Sequence, residues 1–354
     1  MTASAMFAAE ILRTSAKGLA SLASDRLLTQ LADSSTYGDD PRSMWREHLA
    51  GRLADLSLAL GDEWPAQFQR QVGWAKVAFA KRGAPESDLE LSLRCLKDVI
   101  ESELPQEIAT PAATLLSSTI DSFDTLGEAE PSAVSTGSAV GELATRYMVA
   151  LLEGDRRQAC DLVLDTVRRG DLAVREAIVQ ICLPVQRELG RMWHVGDITI
   201  AEEHFVSATT VRLLSQLLAL ETPRESNGKT VLAATLDGDE HDIGLRAVSD
   251  LFELDGWRTV FLGRGLPVQD VVWAANAFKA DLVMLSATLP SHVRPVRDVI
   301  ARLAFEAGDK PSVPVIVGGP VFMENPELGA EIGAAGTSLS ARDAVADAAR
   351  LLGL

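Results

Sequence analysis

The stretch Val231-Leu232-Ala233-Ala234-Thr235-Leu236, followed after Asp237-Gly238 by Asp239-Glu240-His241-Asp242-Ile243-Gly244, decides how this chain is read. The first six residues are apolar apart from one threonine, the composition of a strand buried on both faces. Ile243 to Leu254 continues with apolar residues at helical spacing, so the expectation is strand, tight turn, helix. His241 then stands on the turn at the C-terminal end of a parallel strand, where open α/β sheets bind their ligands. Asp239, two residues earlier, can accept from one imidazole nitrogen and leave the other for a metal. A solvated turn histidine beside a carboxylate spells the same hexapeptide, so the flanking sequence has to decide.

Downstream the alternation continues. Strands are expected at Val231–Leu236, Thr259–Leu262, Leu282–Ser286 and Val313–Val317, with a short fifth near Ala334–Thr337. Helices are expected at Ile243–Leu254, Val268–Lys279, Val293–Ala307 and Arg342–Leu352, which makes residues 229–354 a doubly wound parallel sheet of Rossmann, flavodoxin-like type. Ser286-Ala287-Thr288 ends the third strand and Gly318-Gly319-Pro320 the fourth, on the same edge as His241. Glycines there remove side chains where something bulky could approach the backbone.

Upstream, residues 138–221 read as four helices. Gly154-Asp155, Gly170-Asp171 and Gly196-Asp197 mark the boundaries, glycine supplying a left-handed C-terminal residue and aspartate a cap for the next helix. Thr199 and Glu202 form a capping box, so the fourth helix begins at Ile200. Short connections imply antiparallel neighbours, hence a four-helix bundle. Residues 1–127 are helical in pattern, over Ala5–Ser24, Arg42–Leu60, Trp64–Lys81, Glu86–Glu103 and Pro111–Leu126, and 128–137 read as a linker. The fold expected is therefore α and α/β multidomain.

The chain has 354 residues, 47% of them hydrophobic, enough for two or three cores. Its 33 basic against 50 acidic residues leave a net charge of −17, which argues against a nucleic-acid binder. There is no signal-like start and no 18-residue apolar span, so the expectation is a cytoplasmic protein without a membrane partner. Cys95, Cys160 and Cys182 lack CxxC spacing and read as buried thiols.

Asp-x-His-x-x-Gly at 239–244, Ser286 and Gly318-Gly319 together resemble the cobalamin-binding Rossmann domain of methionine synthase and of corrinoid carrier proteins, over Lys229 to Leu354. The resemblance implies that the nucleotide tail of cobalamin leaves the cobalt and threads into the sheet edge. His241 is then the lower cobalt ligand, Asp239 its partner, and Ser286, Thr288, Gly318 and Gly319 line the tail channel. Gly244, the last residue of the motif, joins the cofactor-binding positions. Ser291 stands where the family has a second serine, although Leu289-Pro290-Ser291-His292 is not a clean match. Gly333-Ala334-Ala335 lacks the family's acid, and no role is carried over to it.

In the bundle, Trp193 is followed ten and eleven residues later by Glu203 and His204. This pattern resembles the CarH-type adenosylcobalamin photoreceptors, in which the tryptophan and the acid pack around the adenosyl group. His194 matches the residue that in that family captures cobalt once light breaks the cobalt–carbon bond. Each of these residues taken singly fits an ordinary amphipathic helix; the resemblance rests on their combination. The first 127 residues do not read as the helix-turn-helix domain of CarH-type repressors. Met44–Pro105 instead loosely resembles the sensor region of photocobilins, which add biliverdin. Arg70 and Arg82 are candidates for its propionates and His48 or Trp74 for its rings, while Cys95 reads as a buried thiol before a thioether anchor. The plain alternative is a dimerisation or partner-binding module. The expectation is a photoreceptor and not an enzyme, a homo-oligomer whose state depends on light, signalling to a downstream protein because no effector domain follows Leu354. The competing expectation is a corrinoid methyl-carrier protein of a methyltransferase system.

Overall fold

A computed structural model describes residues 3–61, 64–127, 132–135 and 137–354, with side chains from Met6 onward. Half of the expected linker, Glu128–Pro131 and Thr136, lies outside the described residues. The chain forms two compact units, Met1–Pro131 with His194–Asp197, and Ser132–Trp193 with Ile198–Leu354. Among the described residues no helix is long and apolar enough to cross a membrane.

The first unit is built from α1 (Ala3–Leu28), α2 (Pro41–Gly61), α3 (Pro65–Lys81), α4 (Glu86–Glu103) and α5 (Gln106–Asp121). Leu89, Leu93, Leu96 and Ile100 recur along α4 and are fully buried with Leu49, Leu53, Phe68, Val72 and Leu116. α1 runs past its expected end because Leu27 is buried in a small side cluster with Trp45 and Cys95. α5 begins five residues before the expected start and keeps Pro111 inside it. One lost backbone donor is outweighed there by a buried face of Ile108, Ala109, Ala112, Leu115 and Leu116.

The second unit opens with α6 (Ala139–Leu152) and α7 (Arg156–Arg168). Its third helix comprises α8 (Val174–Ala177), a π turn (Ile178–Cys182) and α9 (Leu183–Val195), and α10 (Ile200–Leu218) closes the bundle. Gly154, Gly170 and Gly196 all have φ between 75° and 79°, the left-handed conformation expected of them. Only one of the aspartates caps: Asp155 accepts from the Gln158 amide at 2.9 Å, whereas Asp171 pairs with Arg169 and α10 is capped by Thr199. The Thr199–Glu202 capping box is formed.

The sheet follows as β1 (Thr230–Leu236), α11 (Ile243–Leu254), β2 (Arg258–Leu266), α12 (Val268–Ala277), β3 (Leu282–Ser286), α13 (Val293–Ala307), β4 (Val315–Gly318), α14 (Pro320–Glu324), α15 (Glu327–Glu331), β5 (Gly336–Thr337) and α16 (Ala341–Leu352). All pairings are parallel and the order is β2-β1-β3-β4-β5, the flavodoxin-like doubly wound arrangement. β2 is longer than its apolar core because Gly263 and Gly265 take positive φ and carry it through two register shifts beside β1. Every residue of β1 is buried, as both helical layers require. The bundle and the sheet layer share one core, in which Leu213, Leu214 and Leu217 of the bundle join Leu251, Phe252 and Leu254 of α11. The strand order reverses between β1 and β3, so the loops after these two strands open the crevice of the sheet.

Candidate functional site

The loops after β1 and β3 meet at the carboxylate of Asp239, which is 0% exposed. Its Oδ1 accepts from the His241 backbone amide at 3.1 Å and lies 2.9 Å from the His241 ring Nδ1. Its Oδ2 accepts from the Thr288 amide at 2.9 Å and lies 3.1 Å from Nδ1 of His292, itself buried. The Leu289 amide also approaches that nitrogen, at 3.2 Å. A carboxylate oxygen is a pure acceptor, so the ring proton belongs on the side facing Asp239. Thr235, at the end of β1, donates from Oγ1 to the Asp239 carbonyl at 2.7 Å and fixes the turn from below.

This arrangement aims His241. With Nδ1 tied to Asp239 and the side chain 62% exposed, Nε2 is the nitrogen presented outward, as for an imidazole poised to bind a metal. A Cβ built on Gly244 would meet nothing within 4 Å, so the surface beside the histidine is open. Burial works against ionising Asp239 and is the largest single effect, but hydrogen bonds from His241 and His292, with the charge of His292, outweigh it and hold the carboxyl well below the usual range. The hydrogen bond to Asp239 raises the His241 pKa, against partial burial, and the charges of Asp239, Glu203 and Glu240 add to the rise.

The raised value belongs to the folded state. The His241–Asp239 pair therefore stabilises the ligand-free fold fully below about pH 6.5, and progressively less as pH climbs through the raised value. Asp239 itself keeps its contribution until pH falls below the ordinary carboxylate range, near ~3.9. The melting temperature of the ligand-free protein is expected to fall as pH rises above about 6.5, and His241→Gln to flatten that slope. A wild-type profile parallel to that of the variant contradicts the assignment.

On the bundle, Gln186 of α9 donates to Ser207 Oγ at 3.0 Å, and Ser207 of α10 donates to Glu203 Oε1 at 2.6 Å. The other Glu203 oxygen is 3.2 Å from Nδ1 of the exposed His204. Glu203 is thus a held carboxylate whose field reaches His241. Trp193 is 43% exposed, unusual for an indole in a packed helix. His194 groups with the helical unit, its Nε2 3.3 Å from the Trp74 carbonyl oxygen and its ring centroid 5.4 Å from that of Trp74.

Gly318 ends β4 and Gly319 follows it, and the two are confined differently. A Cβ on Gly319 would stand 2.5 Å from the Ala287 carbonyl and 2.7 Å from Ser286 Oγ, so the approach that requires glycine is that of the β3 end itself. Gly318 is less confined, its nearest neighbour being the Ser338 carbonyl at 3.4 Å. Thr288 acts on the site through its amide, and Ser291 is exposed beside His292. His292 ends the Leu289-Pro290-Ser291-His292 stretch without a role read from it, and Ser207 and Gln186 lie in no motif; the fold brings His292 to Asp239 and Gln186 to Ser207, which sits one helical turn from Glu203.

Two models of the B12 binding domain match the chain, over residues 229–349 and 143–218. The HTH-type transcriptional repressor CarH of Myxococcus xanthus is 31% identical over 160 residues, 44% of this chain and 51% of that protein. Dimethylamine corrinoid protein 3 of Methanosarcina acetivorans is 32% identical over 139 residues, 39% of this chain and 64% of that protein. The chain thus spans about half the length of the first relative and under two thirds of the second. The solved monomethylamine corrinoid protein of Methanosarcina barkeri has the same fold, with a TM-score of 0.52 at 21% identity over 60% of this chain and all of that one. The chain carries a cobalamin-binding module, matched over residues 143–218 and 229–349, and the Asp239–His241–His292 cluster lies within the second stretch.

Proposed function

We propose that the protein is a light sensor that holds adenosylcobalamin with His241 below the cobalt, and that its helical unit holds biliverdin as a second chromophore. The observation that carries the reading is the relay Gln186–Ser207–Glu203, which holds a carboxylate within electrostatic reach of His241. A methyl group has nothing to donate to a carboxylate, whereas an adenosyl group carries hydroxyl and amino donors. Exposed Trp193 on α9 adds an indole face of the kind on which a purine stacks.

The residues present fit the cofactor: an imidazole with one nitrogen fixed and the other exposed, open space at Gly244, and Ser286 at the sheet edge. When bound, adenosylcobalamin supplies a cobalt–carbon bond that visible light breaks. The chain's own residues set the conditions around it. Asp239 keeps the His241 ring oriented and Nδ1 protonated, Ser207 keeps Glu203 in one rotamer, and the His204 ring lies against its other oxygen. His194 is the residue that the CarH resemblance makes the second donor in the light, and serving there requires it to leave the Trp74 carbonyl. The output proposed is a change of self-association read by a signalling partner.

The second reading, a corrinoid methyl carrier, is favoured by the likeness to dimethylamine corrinoid proteins. Absorption spectra and size-exclusion chromatography of the cobalamin-loaded protein, before and after green light, separate the two. A sensor changes both, and His194→Ala loses the late spectral change while still bleaching. A carrier leaves its mass unchanged and binds methylcobalamin as tightly as adenosylcobalamin. Ser207→Ala, which releases Glu203, is expected to cut the preference for the adenosyl form about tenfold, the worth of one charge-assisted hydrogen bond. Equal preference in wild type and variant removes Glu203 from the upper pocket.

A further inference from the structure

The helical unit contains a row of buried donors that its own chain does not use. Trp45, His48 and Arg52 follow one another along one face of α2, and Nε1 of Trp45, Nε2 of His48, and Nε and Nη1 of Arg52 are buried without a hydrogen-bond partner among the described residues. Trp45 is fully buried. Arg52 spends its remaining nitrogen on Asp55, at 2.9 Å. Burial above all, and the charge of Arg52 after it, push the His48 imidazole down to about 3, so it is neutral at physiological pH. Buried donors are almost always paired in folded proteins, and adjacent unpaired ones call for an acceptor.

The surroundings are aromatic. Trp45 lies 4.9 Å from Tyr37 and 5.5 Å from Phe79, ring centroid to ring centroid, and His48 lies 5.4 Å from Phe79. Trp45 packs with Leu27 and Cys95 in a cluster separate from the main helical core. Over it lies the connection between α1 and α2, residues 29–40, whose short helical turn Ser35–Tyr37 carries the Tyr37 ring. Two bonds fasten that cover to α4: the Tyr37 hydroxyl donates to Asp88 Oδ2 at 2.7 Å, and Gln30 Nε2 donates to Cys95 Sγ at 3.6 Å.

We infer that the Trp45–His48–Arg52 face of α2, beneath the Tyr37 cover, is a binding site for a flat conjugated ligand held through its carbonyl or carboxylate oxygens. The inference deepens the reading that this unit holds a second chromophore, and rests on it for the choice of tetrapyrroles as probes. Residues 45 to 52 span about 10 Å along a helix axis, too far for one buried water to serve and a match for an elongated ligand. The aromatic rings provide stacking surface, the neutral imidazole and the indole donate to carbonyls, and Arg52 takes a carboxylate. Entry requires the cover to release both Asp88 and Cys95.

The test uses the full chain, titrated in the dark with biliverdin and separately with haem, which bears the same propionates on a closed ring. Trp45→Phe and His48→Leu remove one donor each; leucine nearly fills the imidazole's space, and phenylalanine leaves a small gap whose cost is below that of an unmet buried donor. If the donors await a ligand, both variants keep or raise the ligand-free melting temperature, because an unmet donor is gone, and both weaken the bound probe at least tenfold. Cobalamin uptake by the same samples reports that the chain is folded. Tight biliverdin binding that both variants leave untouched overturns this location and spares the second-chromophore reading. Haem bound in place of biliverdin, with the same two dependences, keeps the site and overturns biliverdin. Neither probe bound, or a melting temperature that falls in both variants with probe binding unchanged, overturns the inference.

Discussion

His241→Ala is expected to fold normally and to lose cobalamin affinity by more than about 100-fold, beyond the ~10–100-fold that removal of an outer hydrogen-bond partner costs a metal site. The His241 side chain is mostly exposed, so its loss leaves almost no cavity. Asp239→Asn then serves as the graded comparison, with a loss of ~10–100-fold, because the amide can still touch the ring but no longer demands one tautomer. Asp239→Ala behaves differently again. It strips the acceptor from the Thr288 amide and from His292, both tied to the buried carboxylate, and is expected to cost about 3 kcal/mol or more of stability before cobalamin is considered. Titration followed by absorption, with melting curves on the same samples, separates the three. Unchanged affinity and spectrum in His241→Ala would falsify the assignment of the lower ligand.

Gly319→Ala carries the largest structural effect. The residue has φ of 97° and ψ of 170°, a region open in practice to glycine alone, and the added methyl would stand 2.5 Å from a backbone oxygen of the β3 end. Strain and overpacking together amount to about 3–5 kcal/mol. Since the displaced atoms belong to Ser286 and Ala287, immediately before the Thr288 amide that holds Asp239, cobalamin uptake should fall with stability. Gly318→Ala meets only the Ser338 carbonyl at 3.4 Å and is expected to cost under about 1 kcal/mol. Melting temperatures within a degree of each other for the two variants would contradict this account.

The residues that proved readable share a physical reason. β1, β3, α11 and α13 were legible because a fully buried strand and an amphipathic helix write their periods locally. The tie between Asp239 and His241 was legible because two residues on one turn need no tertiary contact to find each other. The capping box at Thr199 and the left-handed glycines are local for the same reason. β2 was underestimated because its last residues pair through glycine bulges that carry no apolar pattern. The start of α5 is not legible locally, because Pro111 has the signature of a first-turn residue while buried neighbours let it sit inside the helix.

From the sequence alone, then, came the order of helical and α/β regions, the strand–turn–helix unit around His241 and the carboxylate that orients it, all set by interactions within a few residues. Tertiary structure decided the rest. It brought His292 and the Thr288 amide from beyond β3 to the second oxygen of Asp239, joined Gln186 and Ser207 behind Glu203, and put Gly319 against the end of β3. It set His194 beside Trp74 and Tyr37 against Trp45, and left Nε1 of Trp45, Nε2 of His48 and two nitrogens of Arg52 without an acceptor among the described residues. Apart from the Ser207–Glu203 bond, one turn along α10, these contacts join residues far apart in the chain and leave no period or spacing to be read; they exist only once the sheet order and the helix packing have chosen the neighbours.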